Sequence, residues 1–489
     1  MKASIKTYVW ILVAVVLTTG CSDWLDYSPK DQYVKKQQFS TVDGFYSAVN
    51  GVYNRIASNT LYGQNLSYGM IDILAQRYTP GSNNSNSLNY LWSTYDYSST
   101  NLQASIDAIW KEAYSTILNV NVILGALEEQ NGVLTQKDME LIKGDCLALR
   151  AFIHFDLLRL FGPNYNDGSA EQPAIPYNNS DKAQAHELLS SRQFIYDYLM
   201  PDLNLAEELL KEADPILTEG VLNSNNENGN NYRRYRQLRL NYFAVILMKA
   251  RVHLWAKDYT NALTEAERLI GDDYVKTNFP FVDSDKLLGS ISPDRVFSSE
   301  VLFGLYNADR ESIYSDNFDG TNLSGAALLQ PKAGYIQQLF NQADYRFLSQ
   351  WRANGNLYSF CKYAKISYNE ENPPFYAFLM PLMRISEAYY IAAESSIMKD
   401  PSNLMAGITA AQTYLTPIKQ ARGIGLPGMF ELLTEHSKEY LREFWGEGQI
   451  FFMLKRNNQG LNNLYNANTD GSITATYQLP LPASEQENR

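Results

Sequence analysis

The sequence predicts a mainly all-α protein, a scaffold of paired helices interrupted by one loop-rich irregular insertion. Long segments carry apolar residues at i, i+3, i+4 and i+7, the period of a helix with one buried face. Small alanines recur where two such helices would cross. Between Asp272 and Lys365 the period lapses, leaving short apolar stretches such as Val301–Tyr306, Gly-rich turns and one brief helical signal at Tyr335–Phe340.

At the N-terminus, Lys2 and Lys6 precede an apolar run from Tyr8 to Leu17. A spanning helix needs about 20 apolar residues, so this run fits a secretory leader instead. It ends at Leu17-Thr18-Thr19-Gly20-Cys21, small residues before a single thiol, which predicts a lipoprotein signal peptide over 1–20 and lipidation at Cys21. Residues 21–40 read as the lipidated tether, and 41–489 as one domain. A first helix starts near Val42, with Ala48, Val49, Val52, Tyr53 and Ile56 at helical spacing. Residues 58–100, rich in Asn, Ser, Gly and Tyr, read as a long ligand-binding loop whose most loop-like part is Pro80 to Ser85. Asn101 to Glu129 is helical through Ile106, Trp110, Tyr114, Ile117, Asn121 and Leu124. Thr135 and Asp138 have the form of a capping box, flanked by Leu134 and Met139 as a staple, and open a helix that Gly162-Pro163 stops.

Helical signals return at Ser191–Glu212, Leu238–Lys257, Tyr259–Ile270, Pro381–Met398, Leu404–Arg422 and Thr434–Lys455. Ala244, Ala250 and Trp255 followed by Ala262, Ala266 and Leu269 give the crossing rhythm of tetratricopeptide-like hairpins. Ala388, Ala392 and Ala393 followed by Ala406 and Ala410 repeat it. The scaffold therefore covers 41–57, 101–271 and 381–456, and the insertion 272–380.

The formal net charge is -12, from 41 basic and 53 acidic residues, and the predicted leader takes two lysines with it. Such a chain has no field to gather phosphates, which argues against nucleic acid as a partner. With Cys21 committed to lipid, only Cys146 and Cys361 remain, and both read as buried free thiols rather than a disulfide framework. His154, His186, His253 and His436 form no metal-binding spacing, so no metal is expected, and no nucleotide loop is present. No catalytic residue and no cofactor is assigned. A pair of glycosidase carboxylates would show itself only as a separation in space.

Aromatic chemistry is abundant, with 35 Tyr, 21 Phe and 7 Trp. Sugar rings offer an apolar face that stacks on Tyr or Trp and a hydroxyl rim that Asn, Asp and Arg bridge. Arg77, Tyr78, Trp92 and Tyr95 in the 58–100 loop, with Tyr306 and Tyr314 in the insertion, are the candidate ligand-binding residues. The competing expectation is that these rings pin the loop to the helices, and it weighs most on Tyr97.

Several motifs together resemble one family. They are Cys21-Ser22-Asp23-Trp24-Leu25-Asp26, Asn50-Gly51-Val52-Tyr53 and the helix Ala148-Leu149-Arg150-Ala151-Phe152-Ile153-His154-Phe155 through Phe161-Gly162. Met383-Arg384-Ile385-Ser386-Glu387, Glu439-Tyr440-Leu441-Arg442-Glu443 with Glu447-Gly448, and Leu479-Pro480-Leu481-Pro482 complete the series. In this order they resemble the RagB/SusD nutrient-uptake outer-membrane lipoproteins. The resemblance implies four tetratricopeptide-like pairs, a surface location on the outer membrane through the N-terminal lipid, and a SusC-like TonB-dependent transporter as partner. It also implies capture of a glycan without catalysis. Two departures stand out: Pro163-Asn164-Tyr165 follows the Phe-Gly stop, where the family often has Val-Pro, and Ile450 and Met453 replace a charged pair, which predicts a drier seam there. Peptide capture by a SusD-like lipoprotein, a tetratricopeptide adaptor of the envelope and a hydrolase are the alternative readings. Trp24 and Leu25 are expected to pack on the transporter barrel or on the chain's own helices.

Overall fold

The computed structural model describes residues 35–487 apart from 82–83, 167, 227–230, 427, 429–431 and 460–473. The leader, Cys21, Trp24, Leu25 and most of the tether lie outside the described residues.

Among the described residues eight helices form the scaffold: α1 Val42–Ile56, α2 Thr100–Glu129, α3 Gln136–Phe161, α4 Met200–Ala213, α5 Tyr242–Trp255, α6 Tyr259–Ile270, α7 Ile385–Met398 and α8 Leu404–Ala421. Each packs on the next, α1 on α2 through α7 on α8, as in a tetratricopeptide-like stack. Side-chain caps set several starts, that of Thr135 as the sequence predicts. Thr41 accepts from Gly44 N–H at 3.1 Å, Thr135 from Asp138 N–H at 3.2 Å, and Asn241 from Ala244 N–H at 3.0 Å. The 30 residues of α2 span about 45 Å. From Leu147 to Phe161 α3 is buried on every side, because α2 and α4 flank it. Its last turn has an unusual cap: Lys455 Nζ donates to the carbonyls of Arg159, Leu160 and Gly162 at 2.7, 3.2 and 2.8 Å. The amine satisfies carbonyls that the helix end leaves open, while burial and the charge of Arg159 push its pKa well below the ordinary lysine value.

Four expectations need correction. The crossing of α7 and α8 is made by Gly407 and Ala411, one residue after the predicted Ala406 and Ala410; Ala406 faces solvent. A Cβ at Gly407 would lie 2.5 Å from the Ser396 carbonyl oxygen, so the backbones approach more closely than alanine permits. Thr434–Lys455 is not one helix but two, α9 Leu432–Glu443 and α10 Ile450–Arg456. Gly446 and Gly448, at φ 78° and 72°, turn the chain between them. Pro381 lies in a strand, not a helix. Residues 58–100 are not a projecting loop: Leu61, Tyr62, Tyr68, Ile71, Ile73 and Leu74 are all buried, and short helices form at Met70–Leu74 and Leu88–Ser93.

Among the described residues six short strands form three antiparallel pairs: β1 Pro173–Ile175 with β2 Leu189–Ser190, β3 Val301–Tyr306 with β6 Leu379–Arg384, and β4 Trp351–Asn354 with β5 Leu357–Phe360. The β3–β6 pair ties the insertion to the scaffold, since β6 runs directly into α7.

The deepest tie is ionic. Arg384, at the end of β6, donates to Glu447 at 3.0 Å, Glu443 at 2.6 Å and Glu300 at 3.1 Å. Arg422 bridges Glu300 at 2.8 Å and Glu443 at 2.6 Å, and Arg346 joins Asp344, Glu439 and Glu443 at 2.7, 2.9 and 3.0 Å. The side chains of this cluster are at most 2% exposed. Burial opposes charge on Glu443, but Arg422 and Arg384 outweigh it and hold the carboxyl well below its ordinary range. Cys146 and Cys361 are buried free thiols, as expected; Ile450 and Met453 are both buried, but Met453 borders Arg159, Arg251 and Arg456, so the seam is not a purely apolar one.

Candidate functional site

The six candidate residues fall into two groups. Arg77, Tyr78, Trp92 and Tyr95 are buried, at 0%, 0%, 2% and 8% exposure, and this corrects the expectation that they form an open platform. Each has found its partners inside the molecule. Arg77 donates to the Tyr335 hydroxyl at 2.6 Å and the Ala75 carbonyl at 2.9 Å, with its guanidinium 5.5 Å from the Trp445 ring centroid. Tyr78 accepts from Trp445 Nε1 at 3.0 Å, and Tyr95 donates to the Leu74 carbonyl at 2.5 Å. The Trp92 ring lies edge-on to Tyr97, whose hydroxyl donates to the Thr476 carbonyl at 2.8 Å. These rings pin 58–100 to the core: each buries a large apolar face, and Tyr78, Tyr95 and Tyr97 also engage their hydroxyls.

Tyr314 and Tyr306 reach the surface, in two separate clefts. The Tyr314 cleft is built by the β4–β5 hairpin. Strand alternation drives Trp351 and Phe360 inward, where Trp351 stands edge-on to Trp445 at 4.9 Å, and leaves Arg352 paired with Ser359 at the cleft. Gly355, at φ 60°, supplies the first position of the two-residue turn. The Arg352 guanidinium lies 5.8 Å from the Tyr314 ring centroid, and Asp319, Thr321 and Asn354 complete a cleft of about 200 Å³. The Thr321 hydroxyl and backbone N–H, both donating to Asp319, hold its carboxyl below the ordinary range. A flat ring, a cation, an ionised acceptor and an amide therefore converge on open surface, the set that a sugar ring with its hydroxyls can use.

Tyr306 ends β3 at 52% exposure and packs against Phe378 at 5.3 Å. It borders a cleft of about 270 Å³ with Asn50, Tyr53, Asn54 and Arg239. Arg352 and Arg239 were not singled out from sequence. The available signals were the Asn354-Gly355-Asn356 turn, which marks a hairpin, and the arginine-rich run from Arg233 to Arg239.

A larger groove, about 910 Å³, runs between α2 and the segment Thr476–Gln486. Its walls combine the apolar Ile106, Leu479, Pro480 and Leu481 with the polar Gln103, Asp107, Gln478 and Gln486, and its one ring, Tyr97, has its hydroxyl committed to the Thr476 carbonyl. His154 lies between Arg150 O and Asn178 N, at 2.9 and 3.0 Å, stacked on Tyr177, and burial holds its pKa well below the ordinary value. No group of three or more His, Cys, Asp or Glu among the described residues is placed to hold a metal. No helix of the described residues is long and apolar enough to cross a membrane.

Comparison with known proteins adds the following. A family model described as "Starch-binding associating with outer membrane" matches residues 23–217, and a model of the SusD family matches residues 337–488. A SusD superfamily protein of Bacteroides thetaiotaomicron is similar in structure, with a TM-score of 0.67 at 21% identity, covering 91% of this chain and 98% of that one. A SusD-like carbohydrate binding protein of Bacteroides vulgatus gives 0.64 at 18% identity, covering 92% and 96%. Surface glycan-binding protein A of Bacteroides fluxus gives 0.66 at 17%, covering 92% and 97%. No curated protein matches the chain in sequence.

Proposed function

The chain belongs to the SusD family, and from that membership we propose that it is a surface glycan-binding lipoprotein of the outer membrane. It captures an oligo- or polysaccharide and delivers it to a SusC-like TonB-dependent transporter without transforming it. The observation that carries the binding step is the Tyr314 cleft, where ring, guanidinium, carboxylate and amide meet at the surface on a hairpin anchored by Trp351. A rigid anchor matters because ordering a loop on binding would subtract from affinity. The tether and lipid keep the body at the membrane, so affinity need only be modest when local concentration is high.

Two experiments test this reading. On an array of plant and microbial oligosaccharides, Tyr314→Ala should weaken binding of whichever glycan the parent retains by about 1 to 3 kcal/mol, the scale of a central aromatic contact. Trp92→Ala should bind like the parent but unfold more easily, by about 3 to 5 kcal/mol, as a core cavity does. If Trp92→Ala lost binding while keeping its stability and Tyr314→Ala changed nothing, the site would lie elsewhere. For the anchor, the parent extracted from membranes in mild detergent should carry a TonB-dependent barrel with it, whereas Cys21→Ala should leave the membrane fraction. Retention of Cys21→Ala in membranes that lack the barrel would refute lipid anchoring.

A further inference from the structure

The run Tyr232 to Arg239 holds four arginines, and the fold treats the last of them differently. Arg233 meets Asp138 at 2.8 Å, and Arg236 is clasped by Asp145 and Asp214 at 2.7 and 2.8 Å. Arg234 turns to the Ser224 carbonyl and hydroxyl. Arg239 reaches no carboxylate among the described residues. Its Nη2 donates to Asn50 Oδ1 and its Nη1 to the Leu238 carbonyl at 3.0 Å, while Nε has no acceptor. The guanidinium is nonetheless fixed in place, 4.5 Å from the Tyr53 ring centroid and 5.6 Å from that of Tyr232. The nearby Asp145 is fully buried and spent on Arg236.

This fixed cation, with no carboxylate in direct contact among the described residues, borders the Tyr306 cleft, beside a half-exposed ring and the amides of Asn50 and Asn54. A neutral sugar would need the ring and amides only. A cation held over two tyrosine rings, with no carboxylate contact among the described residues and one N–H left on each terminal nitrogen, is suited to a planar or tetrahedral oxyanion, which takes two N–H groups at once. In a chain of net charge -12 the surrounding field repels anions, so any preference for them has to be made locally, by such a group. We infer that the Tyr306 cleft is a second saccharide subsite that takes an acidic sugar, its carboxylate or sulfate on Arg239 and its ring against Tyr306. The inference rests on the reading of the chain as a glycan binder and adds the class of glycan.

The test compares the intact protein with Arg239→Gln and Arg239→Lys, using four probes at matched ionic strength: oligogalacturonate, its fully methyl-esterified form, a sulfated galactan oligosaccharide and its desulfated form. The parent should prefer at least one charged probe to its neutral twin, and the pair with the larger preference tells carboxylate from sulfate. Arg239→Gln should erase that preference, a loss of about ten- to hundredfold in affinity, the scale of a hydrogen bond to a charged group. Arg239→Lys should retain part of it, because charge remains while the fork is lost. Unchanged unfolding midpoints should accompany both, and Tyr306→Ala should weaken charged and neutral twins together. Equal binding of charged and neutral twins by the parent, or a preference that survives in Arg239→Gln, overturns the inference and leaves glycan binding at the Tyr314 cleft standing. If none of the four probes binds, the inference also fails, and the array with Tyr314→Ala then decides the glycan reading by itself.

Discussion

Replacing Arg384 with Met should destabilise the protein by about 3 to 5 kcal/mol, read as a lowered urea midpoint. That is the usual cost of removing one partner from a buried ion cluster. Arg384 donates to Glu300, Glu443 and Glu447 at once, in a region from which water is excluded. Without it, Glu447 retains Lys362, and Glu443 and Glu300 retain Arg422, but the cluster carries one uncompensated negative charge that no solvent can reach. The cluster as a whole need not outperform an apolar core of equal volume, so the expected effect belongs to breaking it. A second substitution, Glu447→Gln, should return part of the loss, because it removes a charge along with its missing partner. A loss below about 1 kcal/mol for Arg384→Met would show that the cluster relaxes or admits water.

The same residues explain why the family resemblance was legible. Arg384, Glu439, Glu443 and Glu447 stand in two of the motifs that carry it, and the structure places all four in the buried cluster. A charge in a solvent-free core has few tolerable replacements, so motifs of this kind report on how the insertion is clamped to the helices. They say nothing of a ligand. Helix positions are readable where the period runs unbroken, as at Tyr259–Ile270, found with the bounds that its period predicts. The misplaced crossing at Gly407 shows the limit of an alanine rhythm, because a backbone contact that excludes even a methyl group selects glycine.

The burial of the 58–100 segment is illegible in sequence for a different reason. A tyrosine that stacks on a sugar and a tyrosine that closes a core need the same flat face and the same satisfied hydroxyl. What separates them is the partner, and the partners here are remote: Tyr78 meets Trp445, and Arg77 meets Tyr335. Local composition carries no trace of contacts across more than 250 positions. The exposed pair was identified by residue type alone, and the cations beside it, Arg352 and Arg239, became visible only once the hairpin and the β3 end had brought them to the rings.

The second large effect is a pH dependence centred on Asp72. This carboxyl is fully buried in the short helix Met70–Leu74, accepts from Gly446 N–H at 2.8 Å through Oδ2, and has no partner at Oδ1. Burial, only partly opposed by the Gly446 N–H and the charges of Arg77 and Lys362, pushes its pKa up to about 7 from 3.8. The folded protein therefore binds this proton more tightly than the unfolded chain does. The stabilisation from that proton is fully present below pH 3.8 and is lost as pH rises through about 7. Asn at this position keeps the acceptor for Gly446 and has no proton to give up. Urea midpoints of the parent and Asp72→Asn, followed from pH 4 to pH 8, should thus diverge in favour of the variant as pH rises, by about 4 kcal/mol at most, and level off above pH 7. Parallel pH profiles for the two proteins would mean that Asp72 stays ionised in the fold, its charge met by Arg77 and Lys362.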